Sequence, residues 1–246
     1  MEGVKSARRV LEFLEYFSEV QRAVSVAELA KHYHYPVSSV STVMRTMVSM
    51  GYLSYDGRSR TYLPTTRIMS LVEWVGVQLF KSETARAIMR SLSDATGETI
   101  LLAVQSGLRI HYLQVIDATG PVRLHVEAGS FREMAATAVG RMLMSQLDDA
   151  TAGKLIRRIN NEQTDPEKLV DLKALLCDLA RIRTNGYAVS IGGVVKHGGA
   201  IAVMLPKSFG PAPLAIGIGS VRSVLEANEQ HFVDLLRAAV AEHATD

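Results

Sequence analysis

The chain predicts an α+β protein in two parts: a helical N-terminal segment closed by a β-hairpin, then a larger segment of short strands alternating with helices. Three observations carry this prediction. Apolar residues recur at helical spacing from Ser6 to Met50, an Asp-Gly turn separates two short aromatic and hydroxyl-rich runs between Tyr52 and Leu63, and from Thr99 onward brief apolar runs are punctuated by glycine.

In the first helix, Val10, Leu11, Phe13, Leu14 and Phe17 form one apolar stripe. Ser25-Val26-Ala27-Glu28 reads as a capping box that opens a second helix through Leu29, Ala30 and Tyr33. Pro36 disfavours helical geometry in the residue before it, so a tight turn is expected at His34-Tyr35. A third helix, Val37 to Met50, turns Val40, Val43, Met44, Met47 and Val48 inward and meets Gly51 as its C-terminal cap. Its outward face keeps Ser38, Ser39, Ser41, Thr42 and Arg45. Short helix, tight turn and a second helix with a small, hydrogen-bonding face are what a helix-turn-helix needs to enter a major groove about 12 Å wide. The alternative is a helical hairpin with a solvated face. The hairpin that follows, turning at Asp56-Gly57 with Arg58 and Arg60 at its tip, reads as a wing whose arginines neutralise phosphates or enter a minor groove; the alternative leaves them as solvated turn residues.

Composition bounds the function. With 246 residues, 48% apolar and 21% charged, the chain is neither disordered nor fibrous. Its longest apolar stretches, such as 100–104 and 200–205, fall far short of the roughly 20 residues that cross a bilayer. No apolar run leads to a cleavage site near the N-terminus, so the expectation is a cytoplasmic protein without a membrane partner. The net charge of +2 is confined to residues 1–80, which hold nine Lys and Arg against seven Asp and Glu. The single Cys177 cannot form an internal disulfide and is expected as a small buried hydrophobe. His32-x-His34 lacks a third ligand, so no metal or other cofactor is expected.

Ser6-Ala7-Arg8-Arg9-Val10-Leu11, Ser25 to Ala30, Pro36 to Val40, Gly51-Tyr52-Leu53 and Tyr62-Leu63 together resemble the winged helix-turn-helix of the isocitrate lyase regulator (IclR) family of bacterial transcription factors. Further on, residues 92–99, Ala136-Thr137-Ala138-Val139-Gly140-Arg141 and Ile182 to Ala188 resemble segments of that family's effector domain, in colinear order. The resemblance implies a DNA-binding domain at 1–65, a linker helix at 66–81 and a GAF-like α/β effector-binding domain at 82–246. It also implies a dimer or dimer of dimers on double-stranded, pseudo-palindromic operator DNA, and a small-molecule effector. Arg9, Ser38, Ser39, Ser41, Thr42, Arg45, Arg58 and Arg60 are the expected DNA contacts. One departure is Val37, where the family often has Lys or Arg.

The linker carries Ile68, Met69, Leu71, Val72, Val75 and Leu79 with Trp74, a stripe read as a dimer contact, with packing on its own domains as the alternative. A helix from about Ser82 to Ala95 ends at Thr96-Gly97. Strands are expected at 99–105, 110–116, 122–126, 187–192, 200–205 and 214–220, in an antiparallel sheet with helices on its faces. Asp165-Pro166-Glu167 is expected to begin a long helix ended by Asn185-Gly186, and Ser223 to Glu226 reads as a capping box for the last one.

Enzymatic signals fail inspection. Gly217-Ile218-Gly219-Ser220 lacks the third glycine of a dinucleotide fingerprint and is no nucleophile elbow. Lys196-His197-Gly198-Gly199 lacks the ending of a phosphate loop, so its glycines are assigned to a turn. The chain is therefore not expected to be an enzyme. The alternative of another class is an enzymatic or ligand-binding α/β domain with an appended helical dimerisation module.

In the family, the resemblance implies, polar side chains hold a small carboxylate-type ligand at positions that here are Ser190, Ala200, Gly217 and Gly219. Smaller, less polar residues there suggest an effector bulkier or less polar than glyoxylate or pyruvate, touched by Ala138, Val139, Met142, Ser190, Ala200, Gly217 and Gly219. Two alternatives stand beside it: the glycines close the pocket by admitting neighbours, or no ligand binds.

Overall fold

The computed structural model describes residues 4–71, 83–120, 124–209 and 212–243. The chain divides into two compact units, Met1–Val77 and Gln78–Asp246.

In the first unit, α1 (Lys5–Val20), α2 (Val26–Tyr33) and α3 (Val37–Ser49) pack Phe13, Phe17, Leu29, Val40, Met44 and Met47 into one core. Each boundary has a local cause. Ser25 caps α2 by accepting from the Glu28 amide at 3.2 Å. The Glu28 carboxylate reaches back to the Ser25 backbone, as the box requires, and is shared with Arg22 and Tyr16. His34 ends α2 in the left-handed region at φ 54°. Gly51, at φ +79°, ends α3 in a Schellman motif: its amide bonds Val48 O, and the Tyr52 amide bonds Met47 O. Strands β2 (Leu53–Asp56) and β3 (Thr61–Pro64) form the expected hairpin. A strand the pattern did not predict, β1 (Val24–Ser25), pairs with β3 and makes the sheet three-stranded. Residues 67–71 are helical; the rest of the expected linker helix, Trp74 included, lies outside the described residues.

The second unit is built on a six-stranded antiparallel sheet in the order β6-β5-β4-β9-β8-β7. The strands are β4 (Thr99–Ser106), β5 (Arg109–Ile116), β6 (Phe131–Glu133), β7 (Ala188–Ile191), β8 (Gly198–Met204) and β9 (Leu214–Val221). One face, with Ile100, Leu102, Ile201, Val203, Ile216 and Ile218, is covered by α4 (Glu83–Thr96) and α8 (Arg222–Glu242). The other, with Leu101, Ala103, Tyr112, Ala202 and Ala215, is covered by α5 (Ala138–Met144), α6 (Asp149–Glu162) and α7 (Leu172–Asn185). Helix α5 is almost fully buried, and Gly140 lets the 3-10 turn Met134–Ala136 fold back against it: a Cβ there would come within 2.1 Å of Met134 O.

Several expectations are corrected. Residues 124–126 are not a strand, and β6 takes the sheet edge beside β5. Asp165 caps only a 3-10 turn, Pro166–Lys168; α7 starts later, capped by Asp171. The break arises because the Asn160 side chain holds both the amide and the carbonyl of Val170, out of helical geometry. Ser223 lies inside α8, whose cap position is Val221, because β9 runs directly into the helix and the Arg222 amide is taken by His197 O. Gly198 and Gly199 belong to β8, not to the turn, whose positive-φ residue is Gly192 at +75°. Cys177 is exposed, since Leu175, Leu179 and Ile182 define the inward face of α7.

Candidate nucleic-acid interface and ligand cavity

Helix α3 is fixed by its buried face, so its outer face is free. Ser38, Thr42, Arg45, Thr46 and Ser49 are exposed, while Ser39 and Ser41 are half-buried at the margins. Thr46 and Ser49 escaped the sequence reading, although extending the helical spacing one more turn finds them. Thr42 donates its hydroxyl to Ser38 O and Thr46 to Thr42 O, each at 3.0 Å. Arg45 Nε donates to Ser41 O at 3.3 Å. Among the described residues, the hydroxyls of Ser38, Ser39 and Ser41 have no protein partner.

Basic groups flank this helix. The Arg9 guanidinium lies 4.5 Å over the Tyr35 ring, and the Tyr35 hydroxyl donates to Glu12 at 2.8 Å. In the hairpin turn the Asp56 carboxylate accepts from the Arg58 amide at 2.9 Å and the Ser59 hydroxyl at 2.7 Å. Those bonds hold its pKa below the ordinary value, the Ser59 bond contributing most. Arg58 and Arg60 are both exposed, with Arg60 in the left-handed region at φ 54°. The first unit thus presents small hydrogen-bonding side chains on one helix, together with Arg9, Arg58 and Arg60, which form no salt bridge among the described residues. Such a surface suits a polyanion with a groove.

In the second unit a cavity of about 70 Å³ lies between the sheet, the start of α5 and residues 124–126. Of the seven residues expected to touch a ligand, Ala138, Ser190 and Ala200 line it. Val139, Met142, Gly217 and Gly219 do not: Val139 and Met142 are packed into the core, and protein fills the space that the two glycines leave. A Cβ at Gly219 would meet Leu124 at 2.9 Å and Leu101 at 3.3 Å; one at Gly217 would meet Ile201 O at 2.8 Å and Val139 at 3.4 Å. The glycines admit close neighbours instead of opening a void.

Leu124 is the residue the sequence reading missed. Thr99, fully buried, donates to Leu124 O at 2.8 Å and seats its side chain over both Gly198 and Gly219. Ser190 is held likewise, donating to Ala136 O at 2.7 Å. Tyr112, Val126, Val194 and Val195 add apolar wall, while Arg132 and His125 supply polar groups. Burial pushes the Tyr112 phenol up to about 12, so it stays neutral. The cavity can take a compact apolar group with one polar or anionic end.

A model described as the bacterial transcriptional regulator IclR C-terminal domain matches residues 78–244, and the IclR helix-turn-helix domain model matches 6–57. The HTH-type transcriptional regulator KdgR of Escherichia coli is 25% identical over 97% of this chain and 90% of its own. The Pca regulon regulatory protein of Pseudomonas putida is 23% identical over 95% of this chain and 81% of its own. Among solved structures, an IclR family transcriptional regulator from Brucella abortus superposes with a TM-score of 0.75 at 24% identity, covering 99% of this chain and 92% of that one. An IclR homolog complexed with 4-hydroxybenzoate, from Microbacterium hydrocarbonoxydans, superposes with 0.74 at 17%, covering 98% and 100%.

Proposed function

The chain belongs to the IclR family of DNA-binding bacterial transcriptional regulators with a C-terminal effector-binding domain, and on that premise we propose how this member reads DNA and what controls it. The proposal divides the chain into a DNA-binding domain at 1–65, a linker helix at 66–81 and an effector-binding domain at 82–246. The observation that carries it is the outer face of α3, exposed and hydrogen-bonding beside a basic turn. Ser38, Ser39, Ser41, Thr42 and Arg45 enter the major groove, and Arg9, Arg58 and Arg60 contact backbone or minor groove. One α3 spans only a short half-site, so the protein works as a dimer or a dimer of dimers on a pseudo-palindrome. Met69 and Leu71, 68% and 54% exposed at the start of the linker, support self-association. Its place of work is the cytoplasm, where the operator is, and its role is regulation without catalysis.

The effector occupies the cavity beside Ala138, Ser190 and Ala200. The apolar lining and Arg132 favour an acid with a body less polar than glyoxylate or pyruvate. At about 70 Å³ the cavity holds few heavy atoms, so a larger body enters by displacing Leu124. The bound effector favours one arrangement of the two wings, and a coupling of about 1–3 kcal/mol changes operator affinity about 5- to 150-fold.

Selection of the full-length protein against a random duplex library at moderate salt is expected to enrich a pseudo-palindrome. Folded protein that enriches nothing, with or without aromatic and short aliphatic acids present, overturns the reading. For the effector, a thermal-melt screen that finds stabilisation by pyruvate or glyoxylate alone overturns the proposed class.

A further inference from the structure

We propose that this protein reads thymine methyl groups in the major groove, and that Val37 and Thr42 are the residues that do so. The inference rests on α3 being the helix that enters the groove. Val37 is the first residue of α3 and is 60% exposed, whereas Val40 and Val43 on the same helix are buried. A lone exposed valine is ordinary on a protein surface. Here it stands on the leading turn, next to Ser38 and near Ser41, side chains short enough to let the helix backbone come close to base edges.

The hydrogen bonds along the helix decide what else this face offers. The Thr42 hydroxyl is turned back to Ser38 O, and the Thr46 hydroxyl to Thr42 O. An exposed threonine held this way presents its γ-methyl outward. Arg45 donates its Nε–H to Ser41 O one turn back, which leaves its terminal amino groups for a base further along the helix than the leading turn. The leading turn therefore offers the methyl groups of Val37 and Thr42 among short serine side chains. Among the four bases only thymine carries a C5-methyl in the major groove, and it is recognised by apolar contact. The half-site this surface fits has thymines where the leading turn of α3 meets the bases.

Deoxyuridine tests this directly, because it keeps the pairing and the O4 acceptor of thymine and lacks only the methyl. A duplex enriched from the random library by the full-length protein is resynthesised with deoxyuridine replacing each thymine in turn, and binding is measured by titration. Affinity is expected to fall about fourfold for each contacted methyl lost, and about sixteen-fold when both half-sites lose one. Val37→Ala and Thr42→Ser, which remove methyls and leave the core untouched, are expected to erase this discrimination at their own positions while keeping the salt dependence. Equal binding of thymine and uracil duplexes at every position overturns the inference, as does discrimination that persists undiminished in both variants. If the thymine library enriches nothing both without and with the aromatic and short aliphatic acids, the assignment of α3 fails, and the inference with it.

Discussion

Leu124→Ala is expected to destabilise the free protein and to let it bind aromatic acids that the parent binds weakly. The Leu124 δ-carbons are what a Cβ at Gly198 or Gly219 would meet, each at 2.9 Å, so the side chain fills the niche over both glycines. Truncation removes three carbons, worth about 2.4 kcal/mol if fully buried at roughly 0.8 kcal/mol each. The side chain is half-buried, which brings the cost to about 1–2 kcal/mol. In a chain of this size that lowers Tm by about 2–8 °C. The cavity, about 70 Å³ in the parent, grows toward the ~150 Å³ at which an engineered apolar cavity takes up benzene. Benzoate at a hundred times its Kd then returns about 2.7 kcal/mol, enough to restore the lost Tm. The assay is thermal melting of parent and variant over a benzoate titration, with pyruvate as the control. A variant whose Tm falls but which stays indifferent to benzoate shows that the vacated niche is not continuous with the ligand cavity. An unchanged Tm refutes the packing argument itself.

Further outcomes follow from the same contacts. Arg45→Ala is expected to relax preference at one or two operator positions at a cost of about 1–3 kcal/mol, whereas Arg58→Ala weakens all duplexes alike and reduces the salt slope by about one; titrations at several salt concentrations separate the two. Glu28 is held below its ordinary 4.5, chiefly by the hydrogen bond from Arg22. Because its folded value is depressed, its contribution is full above 4.5 and is lost as the pH falls through the lowered folded value. Acid unfolding of Glu28→Gln should lack that component, and identical pH profiles for parent and variant exclude it. Gly140→Ala is expected to cost about 1–3 kcal/mol, since its Cβ would lie 2.1 Å from Met134 O and the 3-10 turn before α5 would have to move away from the helix. A denaturant midpoint within error of the parent's contradicts that packing.

Local chemistry made much of the first unit legible in the sequence. Three helices, their turn at His34, the Schellman end at Gly51 and the hairpin at Asp56 each depend on residues a few positions apart, and those spacings are visible in one dimension. Five of the six strands of the large sheet were legible for the same reason, through apolar runs bounded by glycine; the edge strand β6 was not. What escaped depends on partners distant in the chain. Strand β1 has two residues and no pattern of its own; it exists because β3 offers an unpaired edge. The break before α7 is imposed by Asn160, ten residues upstream, on a stretch whose own sequence favours an earlier start. Cys177 points outward because tertiary packing chose the other side of α7.

The candidate sites divide along the same line. Ser38, Thr42, Arg45, Arg58 and Arg60 were readable because a helix face and a turn tip expose residues by period alone. The cavity was readable only in part. Sequence determined that Ser190, Ala200, Gly217 and Gly219 are small, but a small residue leaves space only if nothing else enters it. Tertiary structure decided that something does: the bond from Thr99 to Leu124, spanning 25 residues, sets a leucine over the glycines. Close packing in three dimensions, which no spacing along the chain encodes, converted missing side chains into a filled niche instead of a larger pocket.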